Sequence, residues 1–540
     1  MKRMRIVAAI IVAATLTLTA CTGTPHSPTA NEGGSTAGAN TGTNSTFVYD
    51  AHSTAITSWD PSTSYSNEII VLSNVYETLT RYNDNTQKVE PLLATSWKSS
   101  ADGMQWTFTL RPDIKFHSGN PLDAAAAKAA IERTIKLDAG AAYIWGAVKS
   151  IDAPDATTLV FNLSYAAPLD LISSADYAAY IFDTKAAGSE DLTAWFEAGH
   201  DAGSGPYSVT KWQQGQEVEV TLDAFPDYWG GWDGAHYDKV VYRVVGQATT
   251  AAQLVRSKEV SFVAQLTPEL WGSFKDDNSV QVTERASWQN LFAFYNTTDG
   301  PLKNPNLRKA LNYGINYDGI VAALKGSATR TPGIVPKGLV GYSEGLAEYA
   351  YNPDQATQLL AKEGYGPGKK ALDLTLTYTS GDDQQELAMT LVKSSLAALN
   401  VNVSLTALQW PTQWAQAQSE DASKRQDIFV MYWWPDYADP YSWFINLFHS
   451  EEKPFYNLSY YKNAGLDAQI DKVEAVLAVD KPKAEQMYIE MQKELFNDAP
   501  AVVLYTSNYQ RVLQNSVAGY VDNPAYPNVA FAYDLQPAAQ

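Results

Sequence analysis

The residues of this chain whose types could act together chemically fall in one stretch, Trp433-Trp434-Pro435-Asp436-Tyr437, with Asp439-Pro440 directly after it. Flat rings offer apolar and stacking surface, and carboxylates accept hydrogen bonds. The run before the loop, 428–432, reads as a buried strand that stops there, and Pro435 and Pro440 stiffen the loop itself. Ligand sites in open α/β sheets lie where strands end and loops begin. The stretch therefore reads as one wall of a cleft that grips a small solute, with Asp436, Trp433, Trp434 and Tyr437 as contacts. It reads equally well as a tight turn packed with core aromatics, and Asp439, ahead of a proline, suits a turn cap.

Signatures of catalysis are poor. There is no Gly-x-Ser-x-Gly elbow, no His-Glu-x-x-His and no correctly spaced phosphate loop. The six histidines are scattered and no two sit at metal-ligand spacing, so no metal and no cofactor is expected. The one enzyme class kept open is a secreted glycoside hydrolase, which would need two acids facing across a tryptophan-lined cleft.

The scaffold holding that loop must be large. At 540 residues the chain exceeds one hydrophobic core, and two or three lobes are expected. The net charge of −20 argues against a nucleic-acid partner, because phosphate binding needs a basic surface. Residues 1–20 read as an export signal: Lys2, Arg3 and Arg5, then an apolar run too short to span a membrane comfortably. The run ends in Leu18-Thr19-Ala20-Cys21, and Cys21 is the only cysteine, so no disulfide can form within the chain. Residues 21–46 are Ser, Thr, Gly and Asn with few large apolar groups, a flexible tether reaching on the order of 25–30 Å.

From Phe47 onward, strand and helix patterns alternate. A first strand covers 47–49, and a helix is expected over 72–82 with Val75, Leu79 and Tyr82 on one face. Asp102-Gly103 followed by alternating Trp106, Phe108 and Leu110 predicts a hairpin. Asp123 should cap a helix running to Leu137. Strands at 280–285 and 291–295 flank Ser287-Trp288-Gln289-Asn290. Asn352-Pro353 starts a helix that ends before Gly364. Residues 374–378, 382–399 and 401–408 make a β-α-β unit, which requires parallel strands. Two long helices, 464–477 and 483–496, precede a last strand at 502–505.

Several of these residues carry a resemblance. Tyr76-Glu77-Thr78-Leu79, Pro91-Leu92-Leu93-Ala94 with Trp97, and Phe116-His117-Ser118-Gly119 resemble the signature of family 5 extracytoplasmic solute-binding proteins, the oligopeptide and dipeptide receptors of ABC importers. Gly203-Ser204-Gly205-Pro206-Tyr207, Tyr228-Trp229, Arg308-Lys309-Ala310-Leu311 and the Asn352-Pro353 helix extend the match to roughly 59–505. Lys258-Glu259 departs from the family's Gly-Glu at a turn. Leu18-Thr19-Ala20-Cys21 likewise resembles the bacterial lipobox, in which the residue matching Cys21 is lipidated.

These resemblances imply an α/β, two-lobed periplasmic-binding-protein-like fold with a hinge. Lobe I would comprise 47–74, 196–285 and 501–540, with an inserted subdomain at 75–195, and lobe II would comprise 286–500. They imply a lipid-anchored, non-enzymatic receptor on the extracytoplasmic face of the membrane. It is expected to act as a monomer, to capture a short peptide, and to hand it to ABC transporter permease subunits. In such receptors an acidic residue in a Trp-x-x-Asp-Tyr loop meets the peptide's α-ammonium, a role that falls on Asp436. Trp288 and Gln289, at a strand start, and Tyr65, Ser66 and Asn67, from the first lobe, are the other expected contacts. An oligosaccharide is the alternative ligand, with the tryptophans stacking on sugar rings.

Overall fold

The computed structural model describes residues 45–51, 58–213 and 219–538. The expected signal, the expected lipidation site at Cys21 and all of the expected tether except Ser45 and Thr46 lie outside the described residues, and Thr46 already pairs with Lys239 as the start of the first strand. The framework is one mixed sheet of eleven strands. Its order runs Tyr207–Gln213, Glu219–Ala224, Lys239–Arg243, Thr46–Asp50, Phe262–Val263, Ala501–Gln514, Val280–Tyr295, Ile428–Trp433, Leu372–Thr379, Val401–Leu408. The short strand Ala328–Thr329 pairs beside Ala501–Gln514.

Two strands belong to both halves of this sheet. Val280–Tyr295 and Ala501–Gln514 pair antiparallel along most of their length, and the register breaks between Ala286 and Asn290 and again after Leu291. On one side of the break the pair joins the strands from 46–50 and 262–263, and on the other it joins Ile428–Trp433. The sequence reading of two short strands at 280–285 and 291–295 thus becomes one 16-residue strand with an irregularity at Ser287-Trp288-Gln289. Ser287 fills the gap: its Oγ donates to the Ser507 carbonyl (2.7 Å) and accepts from the Gln289 N–H (3.0 Å).

The strands of the second half are apolar on both faces, because both are covered. Leu291, Ala293 and Tyr295 pack with Ile428 and Val430 on one side. Phe292, Phe294, Phe429 and Met431 pack on the other. That is why 428–432 reads as a continuous apolar run rather than an alternation. The β-α-β unit forms as expected, with Leu372–Thr379 and Val401–Leu408 parallel and the helix Asp383–Ala397 between them. The long helices are Ala464–Val479 and Lys481–Asp498. Asp123 caps Ala124–Leu137 by accepting from the Ala126 N–H (2.8 Å), and Asn352 caps Pro353–Lys362 through Gln355 N–H (3.0 Å). A separate antiparallel sheet, Ala94–Ser99, Gln105–Leu110, Thr158–Leu163 and Val148–Asp152, lies within the span expected as an insertion.

The helix expected over 72–82 is displaced. It spans Ile69–Val75, Tyr76 is extended, and Thr80–Asn83 is a strand. The cause is long-range: the Val75 carbonyl is taken by the Gly205 N–H (2.9 Å), and a Cβ on Gly203 would collide with that same carbonyl. Ser204 Oγ (2.8 Å), Trp229 Nε1 (2.9 Å) and Tyr228 Oη (3.1 Å) then donate to the buried Glu77 carboxylate. The Gly-Ser-Gly-Pro-Tyr element is therefore the clamp that ends this helix. Among the described residues no helix is long and apolar enough to cross a membrane, and no cluster of His, Cys, Asp and Glu is arranged to hold a metal.

Candidate ligand-binding cleft

The strand Ile428–Trp433 ends at the loop 434–440, which leads into the helix Tyr441–Leu447. Beside this strand end lie two cavities that share Ser66, Trp410, Tyr432 and Trp434 as walls. The larger has about 1080 Å³ of empty space, solvent at its mouth included, and its lining is mostly amide and hydroxyl. Asn67, Gln265, Gln289, Gln384, Gln385, Asn508 and Asn528 all face it. The smaller, about 440 Å³ counted the same way, is lined by eight aromatic residues and one carboxylate, Asp436.

Asp436 is 8% exposed. The Tyr143 hydroxyl donates to its Oδ2 across 293 residues of sequence, and Asn446 Nδ2 donates to that hydroxyl (2.8 Å). Among the described residues no other hydrogen bond and no ion pair reaches Asp436. Burial, uncompensated by any cation, pushes its carboxyl up to about 7. The loop also meets the 140–177 segment at a second point: Trp434 Nε1 donates to the Tyr177 hydroxyl (3.0 Å), which donates to the Ser66 carbonyl (2.9 Å). The aromatic walls are connected, Trp410 to Trp414 (5.1 Å between centroids), Trp414 to Tyr456 (5.8 Å) and Tyr456 to Trp433 (5.4 Å).

The structure brings Asp436, Trp433, Trp434, Tyr65, Ser66, Asn67 and Gln289 to these cavities. It does not bring Trp288 or Tyr437. Trp288 is buried beside Tyr82, and its Nε1 donates to the Lys337 carbonyl (3.1 Å). The irregular strand there turns Gln289, not Trp288, toward the cleft. Tyr437 is buried in the other direction, its hydroxyl donating to Glu474 (3.2 Å). Trp443, another aromatic near the loop, is wholly core. Asp439 is the turn cap it was read as: its Oδ1 accepts from the Tyr441 N–H and the Tyr488 hydroxyl, both at 2.8 Å. Tyr143, Tyr177 and Tyr456 were not singled out in the sequence, and no local pattern there marks them. Arg511 also borders the larger cavity, but its Nε is held by Asp522 (3.0 Å) and it lies over the Tyr509 ring (4.1 Å).

Residues 88–455 match the family of bacterial extracellular solute-binding proteins, family 5. This chain belongs to that family. It is 29% identical over 473 residues to the probable D,D-dipeptide-binding periplasmic protein DdpA of Escherichia coli K12, covering 86% of this chain and 89% of that protein. Its fold is similar to that of the periplasmic binding protein DppA from Helicobacter pylori, solved with the peptide STSA, with a TM-score of 0.79 and 23% identity over 91% of this chain and 98% of the other. The murein tripeptide binding protein MppA of Escherichia coli matches with a TM-score of 0.80 and 21% identity over 92% and 99% of the two chains. The architecture is thus the mixed α/β, two-lobed fold of periplasmic binding proteins.

Proposed function

We propose that this chain is an extracytoplasmic receptor that captures short peptides by closing two lobes about them and delivers them to the permease of an ABC importer. The observation that carries the reading is Asp436: a buried carboxylate at a cleft wall that, among the described residues, is hydrogen-bonded once and faces no cation. A peptide's α-ammonium supplies the missing charge, and in a closed, dry cleft the pair needs each other. Asn67, Gln289 and Asn508 in the larger cavity offer donors and acceptors to a peptide backbone. Relatives named for binding a D,D-dipeptide and a murein tripeptide, and one solved with the peptide STSA, support the same class.

Lobe I takes 47–74, 196–285 and 501–540 with 75–195 inserted, and lobe II takes 286–500. The irregular stretch at Ser287-Trp288-Gln289 and its partner Ser507 form the joint. Ligand that bridges both lobes favours the closed form by its differential affinity. Cys21, lipidated and N-terminal after cleavage, anchors the chain to the membrane. No reaction is assigned to the chain, which acts as a monomer, and the ATPase and permease are separate proteins.

A second reading has its own observation. The density of Trp at the strand end, with Trp410, Trp414, Trp433 and Trp434 at the smaller cavity, suits stacking on sugar rings. The test is a melting series on the purified protein, stripped of co-purified ligand by unfolding and refolding. Bound ligand raises the transition by mass action. Shifts with di- to octapeptides and none with α- or β-linked oligosaccharides support the peptide receptor. Shifts with sugars alone replace it with the second reading.

A further inference from the structure

The two cavities differ in chemistry and share walls at Ser66, Trp410, Tyr432 and Trp434. The smaller one holds Asp436 and eight aromatic residues, and the larger one is polar. On its far side Asp436 is closed by the Tyr143 hydroxyl on Oδ2 and, behind that, Asn446. Of the two cavities only the aromatic one has Asp436 in its wall, so a cation paired with the free carboxylate oxygen sits in that chamber. Whatever carries that cation must therefore place its nearest substituent against the rings.

We propose that the aromatic chamber is a seat for the first residue of the ligand, and that it selects an aromatic side chain on the carbon bearing the ammonium. This rests on the reading of the chain as a peptide receptor and adds the ligand class. The chain of rings from Trp410 through Trp414 and Tyr456 to Trp433 includes a near-perpendicular pair: Tyr456 and Trp433 lie at 75°. Such an array offers both faces and edges, and aromatic pairs in offset-stacked or edge-to-face contact gain more than their buried area alone supplies. A small or charged first side chain would leave the rings unfilled or bury a second charge without a partner. Beyond the shared walls Trp434 and Tyr432, the amide-lined chamber receives the polar backbone of the next residues. Position along the ligand, not composition, is what the geometry reads.

The test uses calorimetric titration of the full, ligand-stripped protein with sequence-reversed dipeptides, Phe-Ala against Ala-Phe and Tyr-Ala against Ala-Tyr, with Ala-Ala as reference. The aromatic-first member of each pair is expected to bind at least tenfold tighter than its reverse. Trp433→Ala should shrink that ratio, and because the ratio is measured on the unaltered protein first, a variant that fails to fold does not decide the matter. Peptides that bind without regard to order overturn the seat and leave the peptide reading standing. Phenethylamine is the non-peptide probe. If no dipeptide binds but phenethylamine does and benzyl alcohol does not, the seat stands and the peptide reading falls. If none of these binds, both fall.

Discussion

Replacing Asp436 by Asn should move stability and affinity in opposite directions. Burial holds the carboxyl of the ligand-free protein at about 7, against an ordinary value of 3.8. Between those two pH values the folded state binds more protons than the unfolded one. Stability contributed by this site therefore falls as pH rises from about 4 to 7 and levels above it. Keeping the charge at pH 8 costs the free protein on the order of 4 kcal/mol at most. Asn is neutral, has the same shape, and its carbonyl still accepts from Tyr143. The variant should melt above the parent at pH 8 and close to it at pH 5. For a peptide the sign reverses. Losing a charge-assisted partner for the α-ammonium costs about 1.5–3 kcal/mol, a loss of about 10- to 150-fold in affinity. In the parent, peptide affinity should also drop about tenfold per pH unit below 7, as the carboxyl takes up its proton, and Asp436→Asn should abolish that dependence. Titration calorimetry at pH 5 to 8, paired with melting curves and an N-acetylated peptide as control, reads all three quantities. Unchanged free-peptide affinity in the variant, or a lower melting point at pH 8, refutes the reasoning.

Three further outcomes are expected. His117 donates one ring nitrogen to Asp201 and the other to the Gly205 carbonyl (2.9 Å); burial opposes its charge, but these acceptors outweigh burial and raise its pKa above the ordinary 6.5. Its stabilisation is full below pH 6.5 and is lost as pH rises through the raised value, so the urea midpoint of the parent should exceed that of His117→Gln most at low pH, and a pH-independent gap would count against a charged imidazole. Gly203→Ala places a methyl on the Val75 carbonyl and should cost more than about 3 kcal/mol in denaturant unfolding. Trp288→Phe should lower stability by about 1 kcal/mol through the lost bond to Lys337, while peptide affinity stays within about twofold, since the ring does not face the cleft.

What the sequence made legible was local. Asp123 and Asn352 mark helix starts because a cap acts within three residues, and the β-α-β unit shows because its periods and lengths are local too. The loop around Asp436 was legible because its site-forming residues are consecutive. Trp288 and Tyr437 show the limit: residue type does not say which way a side chain turns, and here an irregular strand and Glu474 decided it. The helix over 69–75 ended early because of glycines more than a hundred residues away. Tyr143 and Tyr177 reach the Asp436 loop from more than 250 residues earlier in the chain, and nothing adjacent to them in sequence announces it.

The register break between the two long strands bears on how cheaply this molecule changes shape. Around Ser287 the ladder lacks ordinary rungs, and a hydroxyl that can rotate stands in for them. In the proposed closure a swing at that point acts on side-chain bonds, Ser287 to Ser507 and Thr506 to Asn290 among them, and crosses no unbroken run of rungs between the two strands. The sheet can thus remain a single continuous fabric through the movement, like cloth folded along a crease already pressed into it. In the proposed closure little main-chain bonding resists movement there, and the contacts made by a solute that bridges both lobes decide which form prevails.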